Sequence, residues 1–387
     1  MNRSAPLPPG SVLGVLGAGQ LGRMFAAAAV RMGYRVHLYA PDGASSPAAA
    51  HAERTVTGAW QDEDALAGFA AACHAVTLEF ENVPAAALDL VSRQVPVRPG
   101  RNALYFSQNR GREKGFLERL GVPLAPWWLV DTEAKAWQAA ERLAVPALLK
   151  TAGFGYDGKG QATVLEPGDV AAAWTAIGGG PAVLEERLEL AFECSVVMAR
   201  DQVGGTVCYP PIRNDHRGGI LDLSTFPSGL EPGLTAQALR IARRIAAGLE
   251  LVGVACVEFF VTGDRRLLVN EVAPRPHNSG HLTIEAAATS QFEQQVRAVA
   301  GLPLGDVFMR SAAAMANLLG EVWADGEPDW AAALSEAGVA LHLYGKTDAN
   351  GKTEAREGRK MGHLTVLDQT ADGAADKVLR ARAALRR

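Results

Sequence analysis

From residue 11 onward, short apolar runs alternate with alanine-rich stretches of helical period, at 12–16, 20–32, 36–39, 62–71 and 76–78. Buried parallel strands read as continuous apolar runs, and crossover helices as amphipathic ones, so this order predicts βαβ units and a parallel sheet. Residues 110–120 run from polar to apolar as a helix would, and Gly121-Val122-Pro123 ends it, which sets a boundary at 123. The pattern then changes. Short strand-like runs at 147–150, 162–165, 182–185 and 195–198 surround one alanine-rich helix, 170–177, and predict a small α+β lobe. Further strands follow, then a helix at 235–249, two strands around Glu258 and Glu271, and a helix containing 284–299. The last part, 311–387, is more basic between Lys346 and Lys360. The expected fold class is α/β and α+β, in three parts: 1–123, 124–202 and 203–387.

Composition narrows the function classes. The 387 residues are 48% hydrophobic and 21% charged with a net charge of −4, which describes an ordinary folded chain and gives no reason to expect a nucleic-acid partner. No apolar stretch reaches the ~18 residues a membrane span requires, so no membrane partner is expected. Residues 11–29 are apolar but carry Gly17, Gly19 and Gly22, which suits a strand and turn better than a signal peptide. Cys73, Cys194, Cys208 and Cys256 lie far apart and form no C-x-x-C pair, so they read as core residues of a cytoplasmic protein.

Two glycine-rich turns suggest anion binding. Gly17-Ala18-Gly19-Gln20-Leu21-Gly22 fits G-x-G-x-x-G between a strand and a helix, where backbone N–H groups can approach a phosphate. A dinucleotide fold also wants an acid at the end of the second strand, and here Asp42 comes only after Pro41. NAD, the phosphate of another ligand and a merely tight turn all remain open. Downstream, Gly153-Phe154-Gly155-Tyr156-Asp157-Gly158-Lys159-Gly160 follows Lys150 and separates two expected strands. Such a loop can fold over a polyphosphate, with Lys159 and Lys150 facing the charge. Alternatively it is a long hairpin turn with solvated lysines.

Two carboxylates suggest a cation. The runs 254–261 and 267–271 flank a polar turn and predict a β-hairpin. With a two- or four-residue loop, pairing centres on the Asp264–Arg265 bond and sets Glu258 directly across from Glu271. By alternation Glu258 shares its face with Cys256 and Phe260, and Glu271 with Leu267 and Val269. Opposed half-buried carboxylates are unfavourable unless a proton or a divalent cation lies between them, and oxygen ligands point to Mg²⁺. Asn270 can add an oxygen. One acid facing solvent, or paired with Arg265 or Arg266, is the alternative. After Glu271, two prolines stiffen a loop that carries Arg275, His277 and Asn278 and leads to a helix expected to start near Ser279.

With these elements in order, the chain resembles the ATP-grasp superfamily. More closely, Gly17-Ala18-Gly19-Gln20-Leu21-Gly22-Arg23-Met24, Thr77-Leu78-Glu79-Phe80-Glu81-Asn82-Val83, Gly155-Tyr156-Asp157-Gly158-Lys159-Gly160-Gln161, the run from Asn270 to His281, and Gly358-Arg359-Lys360-Met361-Gly362-His363 are similar to the N5-carboxyaminoimidazole ribonucleotide synthetase family. The resemblance spans nearly the whole chain. It implies an ATP-grasp architecture: an N-terminal Rossmann-like domain, a small α+β lid lobe, and a larger C-terminal lobe. The implied reaction is ATP-dependent carboxylation of 5-aminoimidazole ribonucleotide by bicarbonate, with Mg²⁺ or Mn²⁺, in a homodimer.

Residue by residue, the resemblance implies ATP contacts at Arg110, Lys150, Phe154, Gly155, Tyr156, Asp157, Gly158, Lys159, Gly160, Glu185, Glu186, Arg187, Leu188, Glu193, His216, Asn270 and Glu271. Glu258 and Glu271 would hold the metal. Tyr156, Asp157, Lys159, Arg275, His277 and Asn278 would line the bicarbonate and amine site. Gln20, Glu79 and Asn82 would face the ribonucleotide, and Lys346, Arg359 and Lys360 its phosphate. Phe154 stands where the family usually has glycine, so a stiffer loop is expected. The rival readings are a formate-dependent ATP-grasp transformylase, an NAD-dependent oxidoreductase built on the first glycine motif, and a non-catalytic nucleotide-binding regulator.

Overall fold

The computed structural model describes residues 5–143, 146–153, 160–348 and 351–386. In the N-terminal part, strands Arg54–Thr57, Arg35–Ala40, Val12–Leu16 and Ala75–Leu78 lie side by side in that order, all parallel. Val12–Leu16 is buried at every position, which is why its sequence shows no alternation. Helix Gln20–Arg31 packs back through Gly22, Phe25, Ala26 and Ala29, the i, i+3, i+4, i+7 set of one helical face. The turn between them therefore opens beside the C-terminal ends of the central strands, where such sheets receive ligands.

A second sheet is antiparallel, in the order Trp127–Val130, Ala182–Glu186, Ala147–Thr151, Gln161–Val164. Two helices share its core, Glu133–Leu143 and Val170–Ala176, where the sequence predicted one. The buried positions of Glu133–Leu143 are Ala136, Ala139 and Ala140. A stripe made only of alanine gives little contrast against its charged neighbours, so the helix did not stand out.

The largest sheet is antiparallel and runs Leu267–Ala273, Gly253–Thr262, Leu190–Arg200, Ile212–Arg217, Ile220–Phe226, Ala312–Leu319, Lys360–Asp368, Val339–Leu343, with Thr206–Cys208 also on Leu190–Arg200. The run 195–198, expected in the small lobe, belongs here. Helix Pro232–Gly248 packs on one face through Ala238, Ile241, Ala242, Ile245 and Ala246.

The helix expected through 284–299 is broken. Thr283–Ala286 is one short piece and Gln291–Ala300 another. Ala287 bridges Met309, the Ala288 N–H donates to the Phe308 carbonyl, and Ser290 caps the second piece by accepting the Glu293 N–H. Tertiary pairing thus outcompetes helix continuation over four residues. The helix expected near Ser279 is a single 3₁₀ turn, Asn278–Gly280.

Gln291–Ala300 joins two parts of the molecule. Its Phe292, Val296 and Val299 enter the core of the N-terminal sheet. Gln295 donates through Nε2 to Thr77 Oγ1 at 2.7 Å and accepts the Val254 N–H through Oε1 at 2.5 Å. The glycine turn is thereby fixed relative to the acid-bearing hairpin. Among the described residues no helix is long and apolar enough to cross a membrane.

Candidate active site

The hairpin differs from its expected register, and the difference shapes the site. The loop has three residues, with the Thr262 N–H donating to the Arg266 carbonyl and Arg265 at φ 66°. Pairing near the turn therefore centres on Asp264, with Val261 opposite Leu267 and Phe259 opposite Val269. A bulge then intervenes, and beyond it Val257 faces Val272. Glu258 consequently stands opposite the pair Asn270 and Glu271, not Glu271 alone. Glu271 does not share the face of Leu267 and Val269 either. Val269 and Val272 both enter the same core, so the two residues between them are turned out of it.

Cations gather around this bulge from the preceding helix and the small sheet. Arg110 Nη1 lies 3.9 Å from Glu271 Oε2. Lys150 and Lys114 converge on Glu185 Oε2 at 3.5 and 3.3 Å, and Lys114 Nζ also donates to the Asn270 carbonyl at 3.4 Å. Lys114 and Glu185 are 2% and 3% exposed, so each relies on the other for its charge. Beside them Glu113 Oε1 accepts the Val272 N–H at 2.6 Å. Burial, and then the charge of Glu271, push the Glu113 carboxyl up to about 8. Glu113 and Lys114 were not foreseen. The available signal was position: Glu113 precedes Phe116 and Leu117 by three and four residues, on the face that helix Arg110–Arg119 buries.

Glu258, 9% exposed, meets His277 Nε2 at 2.9 Å. Burial would raise its carboxyl, but His277 outweighs that and holds it low. Glu271 is shifted the other way, first by desolvation and then by the charge of Glu258. His216 Nδ1 lies 3.3 Å from Glu193 Oε1, and donor atoms of Glu193, His216 and Glu258 all fall within 4.8 Å of one another. The mutual repulsion of the Glu258 and Glu271 carboxylates fits a divalent cation beside them; the compact set of Glu193, His216 and Glu258 shares Glu258 with that pair and does not include Glu271.

The proline-stiffened loop spans the distance to the N-terminal part. Arg275 Nε pairs with Glu81 Oε1 at 2.7 Å. Burial works against the Arg275 charge, and Glu81 more than compensates. His277 receives Gln291 on its backbone, its N–H donating to Gln291 Oε1 at 2.8 Å and its carbonyl accepting from Nε2 at 2.7 Å. Asn278 is 7% exposed, and neither atom of its amide meets a partner among the described residues. A buried amide left open in this way is suited to a small polar ligand.

The first glycine turn cradles a carboxylate. The Gly19 N–H donates to Glu79 Oε2. A β-carbon on Gly19 would clash with Glu79 Oε1, and one on Gly17 would fall 2.8 Å from Oε2. An amide that a dinucleotide phosphate would use is thus engaged by the protein, which counts against the NAD reading. Burial raises the Glu79 carboxyl to about 7 against the pull of Gly19, Arg275 and Lys346. Beyond it, Gln20, Lys346, Arg359 and Lys360 line a cavity of about 1180 Å³ with Arg356, Arg217 and Arg382. Asn82 is exposed on the turn after Leu78 and does not line that cavity. Glu186 ends the small-sheet strand Ala182–Glu186, opposite Ala147, and Arg187 and Leu188 follow it on the way to the large-sheet strand Leu190–Arg200.

Phe154, Gly155, Tyr156, Asp157, Gly158 and Lys159 lie outside the described residues. Gly160, the next residue described, has φ 70° and accepts the Thr151 N–H on its carbonyl at 2.8 Å.

Comparison with known proteins assigns these parts to families. Residues 11–108 match the ribonucleotide synthetase preATP-grasp domain, 115–292 the ATP-grasp domain, and 313–377 the phosphoribosylaminoimidazole carboxylase C-terminal domain. The chain is 44% identical over 361 residues to N5-carboxyaminoimidazole ribonucleotide synthase of Brucella melitensis, covering 93% of this chain and 97% of that one. It is similar to the N5-carboxyaminoimidazole synthetase of Staphylococcus aureus complexed with ADP, with TM-score 0.91 and 32% identity over 98% and 99% of the two chains. It is also similar to the Aspergillus clavatus synthase in complex with ADP and 5-aminoimidazole ribonucleotide, with TM-score 0.86 and 29% identity over 98% and 100%.

Proposed function

This chain belongs to the N5-carboxyaminoimidazole ribonucleotide synthetase family of ATP-grasp ligases, and from that premise we infer that it carboxylates 5-aminoimidazole ribonucleotide with bicarbonate, using ATP, in purine biosynthesis. One observation carries this reading to the residues. A single loop carries Arg275, paired with Glu81 of the N-terminal part, and His277, paired with Glu258 of the acid-bearing hairpin, which supports a reaction centre at that loop.

In the reaction, bicarbonate oxygen attacks the γ-phosphorus of ATP and releases ADP. The resulting carboxyphosphate transfers its carbon to the exocyclic amine, releasing phosphate. Glu258 and Glu271 would hold Mg²⁺ or Mn²⁺, which supplies positive charge to the phosphoryl oxygens. Arg110 and Lys150 face the same charge, while Glu185 keeps Lys150 and Lys114 in place. Glu193 and His216 are assigned to ATP. Arg275, His277 and the open amide of Asn278 orient bicarbonate and amine. Tyr156, Asp157 and Lys159 are assigned to the same centre by sequence resemblance, with Asp157 receiving the amine proton. Glu79 and Gln20 face the ribonucleotide, and Lys346, Arg359 and Lys360 its phosphate.

A homodimer in the cytoplasm is part of the same proposal, and sedimentation of the purified protein tests the dimer. The activity is tested by ATP turnover with and without the ribonucleotide, in bicarbonate or in formate. Turnover that requires both ribonucleotide and bicarbonate supports the reading. Turnover in formate assigns the chain to transformylation, and ATP binding without stimulated turnover assigns it to regulation.

A further inference from the structure

A string of buried polar side chains crosses the large sheet and has no part in the roles assigned above. Ser224 Oγ donates to Asn214 Oδ1 at 2.9 Å, and Asn214 Nδ2 donates to Ser195 Oγ at 2.9 Å. Ser195 Oγ lies 2.7 Å from Ser279 Oγ, which lies 2.9 Å from His277 Nδ1. The opposite ring nitrogen, Nε2, meets Glu258 at 2.9 Å. Ser195, Ser224 and Ser279 are fully buried and Asn214 is 3% exposed. Strand register builds the string, since Asn214 stands opposite Ser224, and Ser195 opposite Glu258.

The surrounding packing does not require hydroxyls or an amide. Val197, Ile212 and Cys256, close by on the same strands, belong to an apolar core. Polar groups in such a setting are costly unless all are satisfied, and here each bond leads to the next until the string ends at one functional side chain. An imidazole held at one nitrogen can turn about its side-chain torsions. Here Nε2 meets Glu258, and Nδ1 meets Ser279 twice, by a long bond from its backbone N–H at 3.4 Å and by the shorter Oγ contact at 2.9 Å, which is the one the string controls; together they fix the ring's plane.

We propose that Ser195, Asn214 and Ser224 are positioning residues for carboxyl transfer, holding Ser279 and through it the His277 ring against Glu258. This deepens the function proposed above and rests on it. The three residues act through His277 and are not catalytic themselves. When the string is cut, the ring loses its fixed plane, the amine is captured less often, and carboxyphosphate is lost to water, so that ATP is consumed without product.

The test compares Ser195→Ala, Asn214→Ala and Ser195→Thr by the ratio of ADP released to carboxylated product formed. This ratio does not depend on the folded fraction, so simple destabilisation leaves it unchanged. The expected result is a ratio of one in the wild type and in Ser195→Thr, which keeps the hydroxyl. In the two alanine variants it rises above one, with product turnover about tenfold lower and KM for ATP unchanged. A ratio of one in both alanine variants, or equal uncoupling in Ser195→Thr, overturns the proposal. If the wild type shows no ribonucleotide-dependent turnover, the functional reading fails instead. The positioning claim is then decided by the ¹⁵N resonance of His277 Nδ1, which it predicts to shift in Asn214→Ala and which, unshifted, overturns it.

Discussion

The backbone N–H of Gly19 donates to the Glu79 carboxylate, and no β-carbon fits between them. Gly19→Ala must therefore displace the Glu79 carboxylate and weaken its bond to the Gly19 N–H, at a cost of about 1 kcal/mol. In the double variant Gly19→Ala/Glu79→Ala the clash is gone, and stability is expected to exceed the sum of the two single effects. Chemical denaturation of the four proteins checks this coupling.

Glu79 also predicts a pH dependence. Its carboxyl is raised from 4.5 to about 7, so between those values the folded state binds more protons than the unfolded state. Stability associated with this group is fully present below pH 4.5 and is lost as pH rises through 7, by about 3 kcal/mol. Glu79→Gln is expected to remove that part of the slope. Melting curves from pH 4.5 to 8 measure the difference between the two proteins, since other groups cancel in the comparison.

Lys114 shares Glu185 with Lys150, and both Lys114 and Glu185 are buried. Lys114→Met leaves a buried carboxylate with one fewer cation and is expected to cost roughly 3 kcal/mol. Lys114→Met/Glu185→Leu should recover most of that stability while binding ATP at least tenfold more weakly, because Lys150 loses its anchor. Calorimetric titration with ATP, read beside denaturation, separates the two effects.

What could be read from the chain depended on whether the deciding forces were local. The parallel strands were legible because Val12–Leu16 and Ala75–Leu78 are buried on both faces and so carry unbroken apolar runs. The hairpin was legible as two strands, but its register was not. The left-handed position of the turn is taken by Arg265, with Gly263 two residues before it, and nothing in the composition marks the bulge at Glu258. Asn270, Glu271, Arg275 and His277 could be found because acids and prolines in an apolar context stand out. Glu113 and Lys114 could not, because a Glu-Lys pair on a helix reads as a solvated surface until the opposing Glu185 and Val272 are known. Ser195, Asn214 and Ser224 are separated by 19 and 10 residues, and only the sheet brings them into one line.

The most direct test of the central claim uses ¹³C-labelled bicarbonate with ATP and 5-aminoimidazole ribonucleotide, following the carbon by NMR while ADP is counted. A carbamate carbon bonded to the ribonucleotide amine, appearing in step with ADP at one to one, is the predicted result. ATP consumption that needs the ribonucleotide yet leaves all label in bicarbonate would contradict it.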